Sequence, residues 1–187
     1  TDTTDGVFFQ RIEFELDGFA FDRSELAQVF DPVARRFGMD VTIRFSDDRP
    51  RMAVLASTAP HCLVDLLGRS HAGELAADLT LVASNHADHE QLCGFFGVPF
   101  HHLPVGDEPT AQGTAMQQLL VDERIELVVL ARYMRILSPE FVAAWPNRII
   151  NIHHSFLPAF VGAQPNRQAH ERGVKIIGAT AHFVTAD

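Results

Sequence analysis

The densest chemistry in this 187-residue chain lies in Asn151-Ile152-His153-His154-Ser155-Phe156-Leu157-Pro158-Ala159-Phe160-Val161-Gly162. If Asn151 to His153 continue the preceding apolar run as a strand, side chains alternate with period two, and Asn151 and His153 project to one face. An amide donor and an imidazole converging on one spot can polarise a carbonyl and stabilise or protonate the oxyanion formed when it is attacked. The alternative is a structural pair that satisfies the irregular loop after it. A second cluster, Arg132-Tyr133-Met134-Arg135-Ile136-Leu137-Ser138-Pro139-Glu140, sets two arginines around an aromatic and a methionine. At the mouth of a sheet it offers an apolar slot for a flat ring and cations for carboxylates. Its last residues also read simply as a helix start, with Ser138 as N-cap and Pro139 at the first helical position.

Other polar segments are less pointed. Ser57-Thr58-Ala59-Pro60-His61-Cys62 follows an apolar run but lacks the glycines that let backbone approach a pyrophosphate, so a dinucleotide or nucleotide site is disfavoured there. Ser84-Asn85-His86-Ala87-Asp88-His89 reads as helix capping, with Asp88 as N-cap, in preference to a metal site. His101 and His102 would point to opposite faces of a strand and cannot serve one ion from that segment. His182 sits in the strand-like run Gly178 to Val184, where a histidine is either packed or supports a neighbouring site.

These residues need a frame to hold them. Met52–Ala56, Leu79–Ala83, Phe100–Leu103, Leu127–Leu130 and Arg148–Ile152 are short apolar runs. Helix-length segments, Leu63–Arg69, His89–Phe96, Thr114–Val121 and Glu140–Trp145, separate them. Repeated strand–helix–strand units with near-continuous apolar strands predict an α/β, Rossmann-like, mostly parallel sheet covered on both faces. Ligands bind beyond the carboxyl ends of such strands, where the two clusters above fall. Residues 1–45 follow a different grammar. Period-two alternation over Phe9–Leu16 and Met39–Phe45 predicts two strands, and Ser24 as N-cap with Leu26, Val29, Phe30, Val33 and Phe37 predicts a helix that stops at Gly38. Residues 46–50 form a charged, proline-ended linker.

Composition narrows the class. With 47% hydrophobic and 21% charged residues and a formal net charge of −9, the chain reads as a globular protein rather than a disordered one. Apolar runs such as Leu127–Ala131 are far short of the ~20 residues that span a bilayer, so no membrane association is expected. The acidic balance and the lack of a basic, aromatic-interleaved run argue against a nucleic-acid partner. Cys62 and Cys93, with no CxxC, suggest neither a disulfide scaffold nor a cysteine zinc site, and a reducing cytoplasm is expected. The start at Thr1 and the stop at Asp187, directly after an apolar run, lead us to expect a fragment of a longer protein.

From Arg51 to Asp187 the sequence resembles the folate-dependent formyl-transfer enzymes, and within them the formyltetrahydrofolate deformylases. The resemblance rests on Ala59-Pro60-His61-Cys62-Leu63, Ala131 to Ser138, Ile149 to Phe160 and Glu171 to His182, above all on His153-His154-Ser155-Phe156-Leu157-Pro158-Ala159-Phe160. It implies hydrolysis of 10-formyltetrahydrofolate to formate and tetrahydrofolate, with the folate as substrate and no cofactor or metal. Asn151 and His153 would handle the formyl oxygen and its proton, and His182 would join them as a candidate catalytic residue shaping the site. Met134, Arg135, Ile136 and Leu137 would line the pterin pocket, with Ser155 and Gly162 as further substrate-binding candidates. The family's third catalytic residue is an Asp seven positions after the strand histidine, which here would be position 189, so residues 51–187 would form a catalytic domain cut short. Residues 1–45 look like the second half of an ACT-like module, and its apolar edge implies a homo-oligomer. Gln164-Pro165-Asn166-Arg167 departs from the family pattern, which leaves the role of Asn166 and Arg167 open. Arg132, Arg135 and Arg148 are the cations expected to attract an anionic folate.

Overall fold

The structure is a computed structural model that describes residues 8–106, 109–153, 165–176 and 178–185. It divides into two compact units, Thr1–Ser46 and Asp47–Asp187.

The described part of the first unit holds one helix, α1 (Leu26–Phe37). Its C-terminus follows the expected chemistry: Gly38 adopts φ 61°, the left-handed conformation glycine reaches at no steric cost, and Met39 N–H donates back to the Ala34 carbonyl at 2.9 Å. Its N-terminus does not. Asp22 to Glu25 form a turn, with Glu25 N–H donating to the Asp22 carbonyl and the Glu25 carboxylate accepting from Asp22 N–H, both at 2.9 Å. That turn encloses Ser24, so Glu25 rather than Ser24 stands at the N-cap. The strands expected over Phe9–Leu16 and Met39–Phe45 are not formed. Period-two alternation marks a strand only where another strand completes the ladder, and none lies beside these segments among the described residues. Phe14, Phe19 and Phe21 instead pack on one another, and Arg23 lies 3.9 Å over the Phe45 ring.

The second unit is built on six strands: β1 (Arg51–Ala56), β2 (Asp78–Ser84), β3 (Phe100–His102), β4 (Leu127–Ala131), β5 (Ile149–His153) and β6 (Thr180–Phe183). Between them run α2 (His61–His71), α3 (Glu90–Phe95), α4 (Pro109–Asp122), α5 (Pro139–Ala144) and α6 (Pro165–Glu171). The sheet order is β3-β2-β1-β4-β5-β6, with β1 to β5 parallel and β6 antiparallel to β5. The order reverses between β1 and β4, the crevice where open α/β sheets bind ligands.

The central strands read apolar throughout because both their faces are covered. Met52, Val54 and Ala56 pack with Leu63 and Leu67 of α2 and Cys93 of α3. Ala53 and Leu55 face the other way, toward Met116 and Leu120 of α4 and Phe141 of α5. The alternation thus assigns α2 and α3 to one face and α4 and α5 to the other, and Val54 and Leu55 are both wholly buried. Burial pushes the Cys93 thiol up to about 11, as for a packed, unreactive sulfur.

Candidate active site

The loops beyond β1 and β2 close on themselves. The buried His89 ring donates through Nε2 to the Ser57 carbonyl, tying the start of α3 to the loop after β1. Ser84 Oγ accepts from His86 N–H at 3.1 Å. His89 occupies the N-cap position expected for Asp88; the helix begins one residue later because His89 is anchored in the core, and Asp88 lies in the preceding turn. Among the described residues no three His, Cys, Asp or Glu side chains come together as a metal site would require.

Beyond β4, β5 and β6 the rim is open. Helix α5 has only six residues, a length of about 9 Å. Its Phe141 and Val142, with the following Trp145, pack in the α4/α5 core, and most of β5 and β6 is left only partly buried. Ser138 starts α5 as expected: its Oγ accepts from Phe141 N–H at 3.2 Å, with Pro139 next to it. The result is a cleft of about 400 Å³ whose floor includes Leu130, Asn151 and His182 and whose wall includes Tyr133, Arg135 and Leu137. That volume lies in the range of small-molecule sites.

Strand register brings the polar residues together. Asn151 pairs with Leu130 on β4 and with His182 on β6, while His153 pairs with Thr180. Ile149 belongs to the α4/α5 core, so period two puts Asn151 and His153 on the same face, about 7 Å apart along the strand. Asn151 Nδ2 lies 3.3 Å from His182 Nε2, and His182 Nδ1 lies 3.0 Å from the Phe183 carbonyl. Asn151 and His182 are half-buried in the cleft. Thr185, which also lines it, carries no pattern in the sequence. It arrives there only because β6 runs antiparallel beside β5.

The second cluster divides. Arg135, Ile136 and Leu137 line the cleft, whereas Met134 stands outside that lining, 66% exposed. Burial pushes the Tyr133 phenol up, with the Arg135 guanidinium pulling the other way. The other two arginines are not cleft cations. Arg132 turns at φ 57°, its Nε is buried with no partner among the described residues, and its charge acts on Cys62 at the start of α2. Burial nonetheless leaves that thiol raised. Arg148 precedes β5, with its guanidinium 5.3 Å from the Trp145 ring centre, and is not among the residues that line the cleft. Arg167 pairs with Glu171 along α6 at 2.9 Å. His154, Ser155 and Gly162 lie outside the described residues.

Comparison with known proteins agrees with this geometry. The family model for formyl transferase matches residues 50–187. The chain belongs to the formyl transferase family. It is 49% identical over 187 residues to the formyltetrahydrofolate deformylase of Synechocystis sp., covering all of this chain and 66% of that protein. It is 44% identical to the Bacillus subtilis protein of the same name, covering 63% of it. The chain therefore spans just under two thirds of the length of these curated relatives. Among solved structures, a formyltetrahydrofolate deformylase from Pseudomonas syringae superposes with a TM-score of 0.86 at 42% identity, over 91% of this chain and 58% of that one. A glycinamide ribonucleotide transformylase from Symbiobacterium toebii gives 0.71 at 36% identity, over 79% and 71%. No helix among the described residues is long and apolar enough to cross a membrane.

Proposed function

We propose that the protein containing this chain hydrolyses 10-formyltetrahydrofolate to formate and tetrahydrofolate in the cleft beyond β4, β5 and β6. The observation that carries this reading is the position of Asn151: its carboxamide lies in an apolar-walled cleft of about 400 Å³, beside a second polar strand residue. An amide N–H held there suits an oxygen that becomes anionic as its carbonyl is attacked. In the reaction the water oxygen bonds to the formyl carbon, the carbon–N10 bond breaks, N10 takes a proton, and formate leaves. His153, one pleat along from Asn151, is the proton carrier we assign to N10, and the carboxylate that orients water is the one the resemblance implies at position 189. Arg135 attracts the folate carboxylates, and Tyr133, Ile136, Leu137 and Val142 form the slot for the pterin ring. The identity of 49% to a protein named formyltetrahydrofolate deformylase, against 36% to a glycinamide ribonucleotide transformylase, favours water over an amine as acceptor.

We also assign residues 1–45 to the second half of an ACT-like module, in a cytoplasmic homo-oligomer. The module assignment rests on the sequence resemblance together with α1, its two flanking strands not being formed among the described residues, and the oligomer on the exposure of Phe8, Phe9 and Ile12. Formate release from 10-formyltetrahydrofolate, with and without glycinamide ribonucleotide, tests the reaction on a protein extended past position 189. Acceptor-independent formate is expected; formyl transferred only to the added amine would overturn the reading.

A further inference from the structure

We infer that His182 is a positioning residue whose neutral, Nδ1-protonated form fixes the orientation of the Asn151 carboxamide. The inference rests on the hydrolase reading for its kinetic consequence but not for its geometry. The Phe183 carbonyl, 3.0 Å from His182 Nδ1, has no proton to give, so Nδ1 carries the hydrogen and donates it. In a neutral ring Nε2 is then bare and accepts. The atom facing it at 3.3 Å is Asn151 Nδ2, and the opposite amide orientation would set the Asn151 carbonyl oxygen against the Nε2 lone pair. The backbone of β6 thus selects the ring tautomer, the ring selects the amide orientation, and the second N–H of Nδ2 is left to point at an oxygen in the cleft. The antiparallel pairing of Asn151 with His182 makes this chain of contacts available.

Protonation reverses the device. An Nε2–H cannot accept from Nδ2–H, so the amide turns its oxygen to the ring and the donor leaves its place. The other groups facing this pair among the described residues are Tyr133 and Arg135 from the segment after β4 and His153 on β5. A protonated His182 therefore costs activity on the acid side through the turned amide of Asn151.

Two readouts test the inference. A two-bond ¹H–¹⁵N correlation spectrum of the full-length protein at mildly alkaline pH, with the His182 signals assigned through His182→Gln, should show the Nδ1–H tautomer; an Nε2–H tautomer overturns the inference whether or not the protein releases formate. In kinetics, His182→Leu should lower kcat for formate release about 10- to 100-fold with KM within about twofold, since what is lost is a donor aimed at the transition state. His182→Gln offers Oε1 in the place of Nε2 and should recover most of that loss, and its kcat should fall less steeply on the acid side, by one ionisation. Equal losses in the two variants, or an unchanged acid limb in His182→Gln, contradict the positioning role. An Nδ1–H tautomer in a wild-type protein that releases no formate would sink the hydrolase reading and leave the geometry standing.

Discussion

Beyond β1 and β2 two polar side chains of the sheet rim are bound to backbone: the His89 ring donates to the Ser57 carbonyl and Ser84 Oγ accepts from His86 N–H. Beyond β4, β5 and β6 two turn to one another instead, Asn151 to His182, over a cleft that a helix of six residues is too short to cover. Both rims carry histidines after apolar strands, and both belong to one sheet. What separates them is the partner. A buried carbonyl that must be satisfied makes His89 part of the fold, whereas a side-chain amide with a second N–H to spare makes His182 part of a site.

Breaking each rim should therefore give different signatures. His153→Ala should lower kcat for formate release by about 100-fold or more, with stability to urea nearly unchanged. Near-normal turnover would remove His153 from the mechanism and reduce the open rim to binding alone. His89→Ala should do the reverse: it strands the Ser57 carbonyl and opens a small void, costing about 1–3 kcal/mol in urea denaturation with little change in KM. A loss of activity without loss of stability would erase the distinction between the rims. Arg135→Ala should raise KM roughly tenfold, about 1.5 kcal/mol for a charge-assisted contact, while kcat falls less. Unchanged KM would put the carboxylates of the substrate elsewhere. The smallest effect is expected for Ser138→Ala, which removes the cap on α5 for about 1 kcal/mol and should loosen the cleft wall without touching its floor. Calorimetric unfolding beside a KM measurement would read both.

Much of this frame was legible in the sequence because burial on two faces imposes continuous apolar runs: all five parallel strands formed within a residue of their expected ends. Ser138 was legible as well, since capping is local chemistry. The misreadings share one cause. Asp88 and Ser24 are sound caps by residue type, but a core-anchored histidine and a self-closing turn move the helix starts past them. Phe9–Leu16 alternates as a strand does, yet a strand also needs a neighbour. Arg148 and Arg132 had the right charge, yet neither lines the cleft: Arg148 sits by the Trp145 ring and Arg132 turns at φ 57° with its Nε buried. The Asn151–His182 contact depends on β6 running antiparallel, which no periodicity encodes.

The most direct test of the whole account is the kcat of Asn151→Ala for formate release from 10-formyltetrahydrofolate, measured beside the intact protein. A fall of about 100-fold or more, with KM within a few fold, is predicted for a donor that acts on the developing oxyanion. Turnover within a few fold of the intact protein would contradict it.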